Sequence, residues 1–130
     1  MKKRVTGLGG IFFKSANPTA LKEWYGKHLH IEIGEHGALF KWRLDEDPEM
    51  AGYTAWSVFP EDTSYFQPAV RDFMFNYRVE NLEELLRVLK EEGVQVVGEM
   101  EEYPYGKFGW IMDPDGNKIE LWEPVDEGTL

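Results

Sequence analysis

A repeat at an offset of 64 residues runs without a gap through both halves of this chain and limits the folds open to it. Asn17-Pro18-Thr19 opens a helix with a side-chain cap and a proline at its first position, and Leu21, Trp24 and Tyr25 follow at helical spacing. Asn81 opens a second helix, in which Leu82, Leu85, Leu86 and Leu89 make one apolar stripe. Gly93 stands where a left-handed cap would end it. The same offset of 64 pairs Leu21 with Leu85, Trp24 with Val88, Gly34 with Gly98 and Pro60 with Pro124. These matches fall on caps, core positions and terminators of equivalent elements, as a duplicated supersecondary unit requires. Around residues 44–52 the match is poor.

Each half reads as a strand, a helix and three further strands. The strands fall at 8–14, 31–33, 38–44 and 53–59 in the first half, and at 73–79, 94–97, 108–113 and 118–122 in the second. Asp113-Pro114-Asp115-Gly116-Asn117 has the proline and glycine placement of a tight hairpin turn. Residues 61–71, with two prolines and no periodicity, form a linker. The expectation is an α+β fold of two tandem βαβββ modules, 7–60 and 72–124, within one domain covering residues 1–130.

Composition narrows the function. Lys and Arg number 14 against 24 Asp and Glu, a net charge of −10, which repels nucleic-acid phosphates and anionic lipid headgroups. No window approaches the roughly 18 apolar residues of a spanning helix. A cytoplasmic protein with neither nucleic-acid nor membrane partners is expected. Without cysteine, thiolate chemistry is excluded and a metal would need His, carboxylate or amide ligands. Of the three histidines, His28 and His30 fall at a helix end and His36 in a turn, where solvent exposure is the simpler reading. The dense glutamates of the second half read as the wet face of its helix, with Glu83 four residues before Arg87. Five Trp, six Tyr and eight Phe exceed what a core of this size needs.

A doubled βαβββ unit ending in Gly109-Trp110-Ile111-Met112-Asp113-Pro114-Asp115-Gly116-Asn117-Lys118-Ile119-Glu120-Leu121-Trp122 resembles the vicinal oxygen chelate superfamily. That group holds glyoxalase I, bleomycin-resistance proteins, extradiol dioxygenases and fosfomycin-resistance enzymes. The resemblance spans residues 7–124 and implies curved sheets around a cup, with ligands on the opening and closing strands of each module. In metal-dependent members four such positions hold the ion. Here they match Gly10, Trp56, Met74 and Glu120, of which Glu120 alone offers a hard oxygen donor. No cofactor is expected, with Glu120 the ligand if a divalent metal binds at all.

Strand alternation assigns the remaining faces once Glu120 is taken to face the cup. Phe12, Trp56, Met74, Asn76 and Trp122 then surround Glu120, Trp42 and Trp110 join them from the hairpin strands, and Tyr105 lies on a lip. The expected occupant is a flat aromatic or cationic small molecule, since Glu120 and the indole faces both suit a cation. The resemblance to the metal-free bleomycin-resistance branch implies a homodimer. Other readings stay open: the rings could fill the cup as a second core or form a dimer interface, and Glu120 could pair with Lys118 or Arg78. An enzyme is the alternative function, a lyase, isomerase or dioxygenase using Glu120 as general base or metal ligand. A third is an accessory domain with a closed cup whose surface binds another protein.

Overall fold

The computed structural model describes residues 3–125. Its elements are β1 (Val5–Ser15), α1 (Pro18–Leu29), β2 (Ala38–Arg43), β3 (Ala51–Pro60), β4 (Phe73–Val79), α2 (Leu82–Glu91), β5 (Val96–Tyr103), β6 (Gly106–Met112) and β7 (Lys118–Pro124). The seven strands form one sheet in the order β2-β3-β1-β4-β7-β6-β5. The β1–β3 and β4–β7 pairs are parallel and the other four antiparallel. An α+β chain with a curved mixed sheet and two helices is what the repeat predicts.

Both helices start where their caps require. Asn17 Oδ1 accepts from the Ala20 amide at 3.1 Å, and Asn81 Oδ1 from the Glu84 amide at 3.2 Å. The Leu82 amide, another donor without a partner inside the helix, bonds Glu123 Oε1 at 2.8 Å and ties α2 to β7. On the wet face of α2, Arg87 bonds Glu84 and Glu91, not the Glu83 that the sequence spacing suggests.

One expected strand is missing. Residues 31–33 form none, and only an isolated bridge between Gly34 and Gly37 marks the place. Eight residues, 30–37, join α1 to β2, whereas fourteen, 92–105, join α2 to β6 and include the whole of β5. In the second half six residues besides β5 are spent reaching and leaving it, and a strand of usual length needs about five or six more, so the eight residues of the first half leave no room for one. The sheet therefore has an open edge at β2, where Leu39 and Phe40 are exposed.

Registers run straight across the sheet and separate its faces. Leu39, Ala55, Gly10, Asn76, Glu120, Trp110 and Val97 are successive partners across all seven strands. The adjacent row is Ala38, Trp56, Ile11, Phe75, Ile119, Ile111 and Val96, all of them apolar. Because side chains alternate along each strand, the first row faces the cup and the second faces the helices. Leu82, Leu85 and Leu86 of α2 seal the helical side with Val79 and Leu121. Under α1 the packing is aromatic, with Trp56 edge-on to Tyr25 at 5.0 Å and to Phe13 at 5.4 Å.

Candidate functional site

At the floor of the cup Glu120 is 3% exposed. Its neighbours in the register row, Asn76 on β4 and Trp110 on β6, both donate to it: Asn76 Nδ2 to Oε1 at 2.7 Å and Trp110 Nε1 to Oε2 at 3.0 Å. The Tyr65 hydroxyl also donates to Oε2. Burial pushes the Glu120 carboxyl above the ordinary carboxylate range, while these three donors and the Lys118 charge pull it back down. Burial and then the Glu120 charge push the Tyr65 hydroxyl well above the usual phenol range, so it stays a neutral donor. The Lys118 ammonium donates to the Tyr65 carbonyl at 2.7 Å, and burial lowers its pKa.

Tyr65 comes from residues 61–71, which the sequence suggests as a plain linker. The structure folds that segment over the cup. Phe66 is fully buried and packs with Phe12, Met74 and Trp110, and Tyr65 stacks on Phe59 at 5.7 Å. The only sequence signal was an aromatic pair, Tyr65-Phe66, inside a stretch otherwise free of pattern.

Above Glu120 lies a cavity of about 300 Å3 whose wall includes Phe12, Ser57, Tyr65, Asn76, Glu120 and Trp122. Tyr105 and Phe108 complete its rim. Of the residues expected around the ligand, Phe12, Asn76, Tyr105, Glu120 and Trp122 line this space. Trp110 stands behind it as a donor to Glu120. Met74 faces the same side but is fully buried beneath Phe66. Trp42 lies away from the cavity, with its indole N–H on Thr54 Oγ1 at 2.8 Å and its ring against the Arg78 guanidinium.

Trp56 is the clear correction. An offset of 64 from Glu120 lands on it, yet it packs against α1, while Ala55 and Ser57 on either side line the cup. Side chains alternate with a period of two, so a slip of one residue between the halves turns the tryptophan to the other face. The repeat does not reveal the slip, because the match it offers between β3 and β7, Pro60 with Pro124, lies at the strand ends and leaves the register at Trp56 unfixed.

Gly9 matters by what it lacks. A Cβ there would come within 2.1 Å of Asn76 Oδ1. The register of β1 against β4 shifts between Leu8 and Gly10, and the Leu8 carbonyl is taken by the Thr54 hydroxyl at 2.6 Å. The Asn76 amide thus occupies the space that a side chain at Gly9 would fill.

The four positions that would hold a divalent ion do not fit one. Gly10 has no side chain, Trp56 points to the helices and leaves Ala55 and the weakly ligating Ser57 on the cup face, and Met74 offers a buried thioether, a soft ligand. Glu120 already accepts from three donors. Among the described residues no group of three or more His, Cys, Asp and Glu could hold an ion. His28, His30 and His36 are all exposed.

The site is thus an acid and an amide at the floor of an aromatic cup, carried by one curved mixed sheet of a small α+β protein. Residues 11–121 match the model of the Glyoxalase/Bleomycin resistance protein/Dioxygenase superfamily, and the chain belongs to that superfamily. No curated protein matches the sequence. Solved structures with the same fold include methylmalonyl-CoA epimerase from Mycobacterium tuberculosis, at 20% identity and TM-score 0.67 over 96% of this chain and 92% of that one. A methylmalonyl-CoA epimerase in complex with methylmalonyl-CoA and NH4+ aligns at 14% identity and TM-score 0.70, over 97% and 99%. A superfamily member from Vibrio splendidus aligns at 14% identity and TM-score 0.58, over 89% and 98%. At these identities the likeness is one of fold.

Proposed function

We propose that this chain binds a flat aromatic or cationic small molecule in the cup, through its own side chains and without a metal ion as intermediary. Asn76 carries the reading. It is 2% exposed and lines the cavity, yet its Oδ1 has no partner among the described residues while its Nδ2 is committed to Glu120. A buried acceptor left unpaired costs about 1–3 kcal/mol, which an N–H donor on a ligand would recover by drawing Oδ1 from its place against Gly9 toward the cavity. Phe12, Phe59 and Trp122 offer ring faces, and Glu120 places negative charge beneath them.

The test is a titration of chelator-treated protein with planar amines, phenazines and bleomycin-type compounds, followed by tryptophan fluorescence. Saturable quenching at one ligand per chain is expected, with Asn76→Leu weakening it by about tenfold. If neither fluorescence nor melting temperature responds to any of them, the reading fails. The homodimer is part of the proposal, and sedimentation would give twice the chain mass of 15.1 kDa.

A second reading has one observation in its favour. Burial raises the Glu120 carboxyl toward the range useful for proton abstraction, and some neighbours in fold are epimerases. Under that reading Glu120→Gln abolishes turnover but leaves substrate affinity nearly unchanged. Under the binding reading there is no turnover to lose.

A further inference from the structure

A second cavity, of about 320 Å3, adjoins the first. Its wall is Leu39, Tyr53, Tyr105, Trp122, Pro124 and Val125, with no charged side chain among them. Trp122 and Tyr105 belong to both cavities and form the partition between them. The Trp122 ring is held in place: its N–H donates to the Tyr105 carbonyl at 3.1 Å, Phe108 stacks on it at 5.9 Å, and the Arg78 guanidinium lies 5.1 Å from it. Tyr105, 59% exposed and stacked on Tyr103 at 5.4 Å, is the solvent side of the opening.

Leu39 belongs to the same cross-sheet row as Asn76 and Glu120, so the apolar cavity lies on the cup face and continues it toward the β2 edge. The polar groups, Asn76, Glu120, Tyr65 and Ser57, all line the inner space. Polarity thus falls in one direction, from the Glu120 floor outward past Trp122.

We propose that the site takes a two-part ligand, with a nitrogen-bearing donor head against Asn76 and Glu120 and an apolar tail running past Trp122 into the chamber walled by Leu39 and Tyr53. This rests on the binding reading above and specifies the ligand class. The full chain is titrated with primary n-alkylamines from butyl to dodecyl, below their micellar concentrations, and read by tryptophan fluorescence. Affinity is expected to rise about fourfold per added methylene, the burial value for a CH2, and then level off once the outer chamber is full. Alkyl sulfates of the same lengths are expected to bind at least tenfold more weakly. Leu39→Asn and Tyr53→Ser should each flatten the rise for long chains while leaving butylamine affinity within twofold. Because Leu39 is 62% exposed, its replacement does not threaten the fold.

Butylamine binding with no gain from longer chains, or a slope unchanged in both variants, overturns the outer chamber but leaves the cup reading standing. Sulfates binding as well as amines overturns the donor head. If no amine of any length binds while a planar compound still quenches the fluorescence, the two-part ligand falls and the cup reading stands; if the planar compounds fail as well, both fall.

Discussion

Glu120 is the residue on which the chemistry of the cup turns, and its environment makes opposite demands. Burial disfavours its charge while Tyr65, Trp110 and Asn76 stabilise it, and burial wins. A carboxyl raised in the folded state holds its proton longer there than in the unfolded chain, so its contribution to stability is greatest below the unfolded value of about 4.3 and is lost as pH rises through the folded one. Glu120→Gln cannot ionise. Its melting temperature relative to the parent should therefore rise as pH goes from 4 to 7, a trend that thermal scans at stepped pH would show, and a flat difference would count against the assignment. Gly9→Ala tests the same site from the other side. The new Cβ, 2.1 Å from Asn76 Oδ1, must displace the amide, and a destabilisation of about 1–3 kcal/mol with loss of ligand quenching is expected in denaturant and fluorescence titrations.

Among the elements, α2 is a core helix and α1 a weakly attached one. Leu82, Leu85 and Leu86 of α2 are buried, whereas α1 buries no residue fully and leaves Trp24 and Leu29 exposed. Leu85→Ala should cost about 2–5 kcal/mol, and the matched change in the repeat, Leu21→Ala, should cost clearly less because Leu21 is only half-buried. Urea unfolding of the two variants makes the comparison, and equal losses would mean that α1 contributes as much as α2. The hairpin between β6 and β7 is local chemistry that sequence expresses fully. Asp113 Oδ1 accepts from the amides of Asp115 and Asn117, both at 2.9 Å, and Gly116 adopts φ 81. Those bonds hold the Asp113 carboxyl below its ordinary range. By contrast the strand expected at 31–33 depended on connector length, which no residue type announces.

At the scale of the molecule, the charge of −10 is a property of the whole surface. A cationic ligand should be drawn in by it, with an association rate that falls as salt is raised from 20 to 300 mM while dissociation changes little. Stopped-flow fluorescence with an amine probe measures both rates, and an association rate indifferent to salt would remove electrostatic steering from the account. No helix among the described residues is long and apolar enough to cross a membrane.

The elements with local causes are legible in residue order alone: two capped helices, the Asp113 turn, six of the seven strands within a few residues, and Glu120 as the acid of the second half. Their signals are side-chain to backbone bonds and periodicities, all complete within a few residues of chain. β5 is the looser case, expected at 94–97 and observed over Val96–Tyr103. What surrounds Glu120 comes instead from contacts between distant parts of the chain. Tyr65 reaches it across 55 positions from a segment without pattern, and Trp56 misses the cup through a one-residue slip between modules. Both depend on where one strand lies beside another, and that is set by packing across the whole sheet.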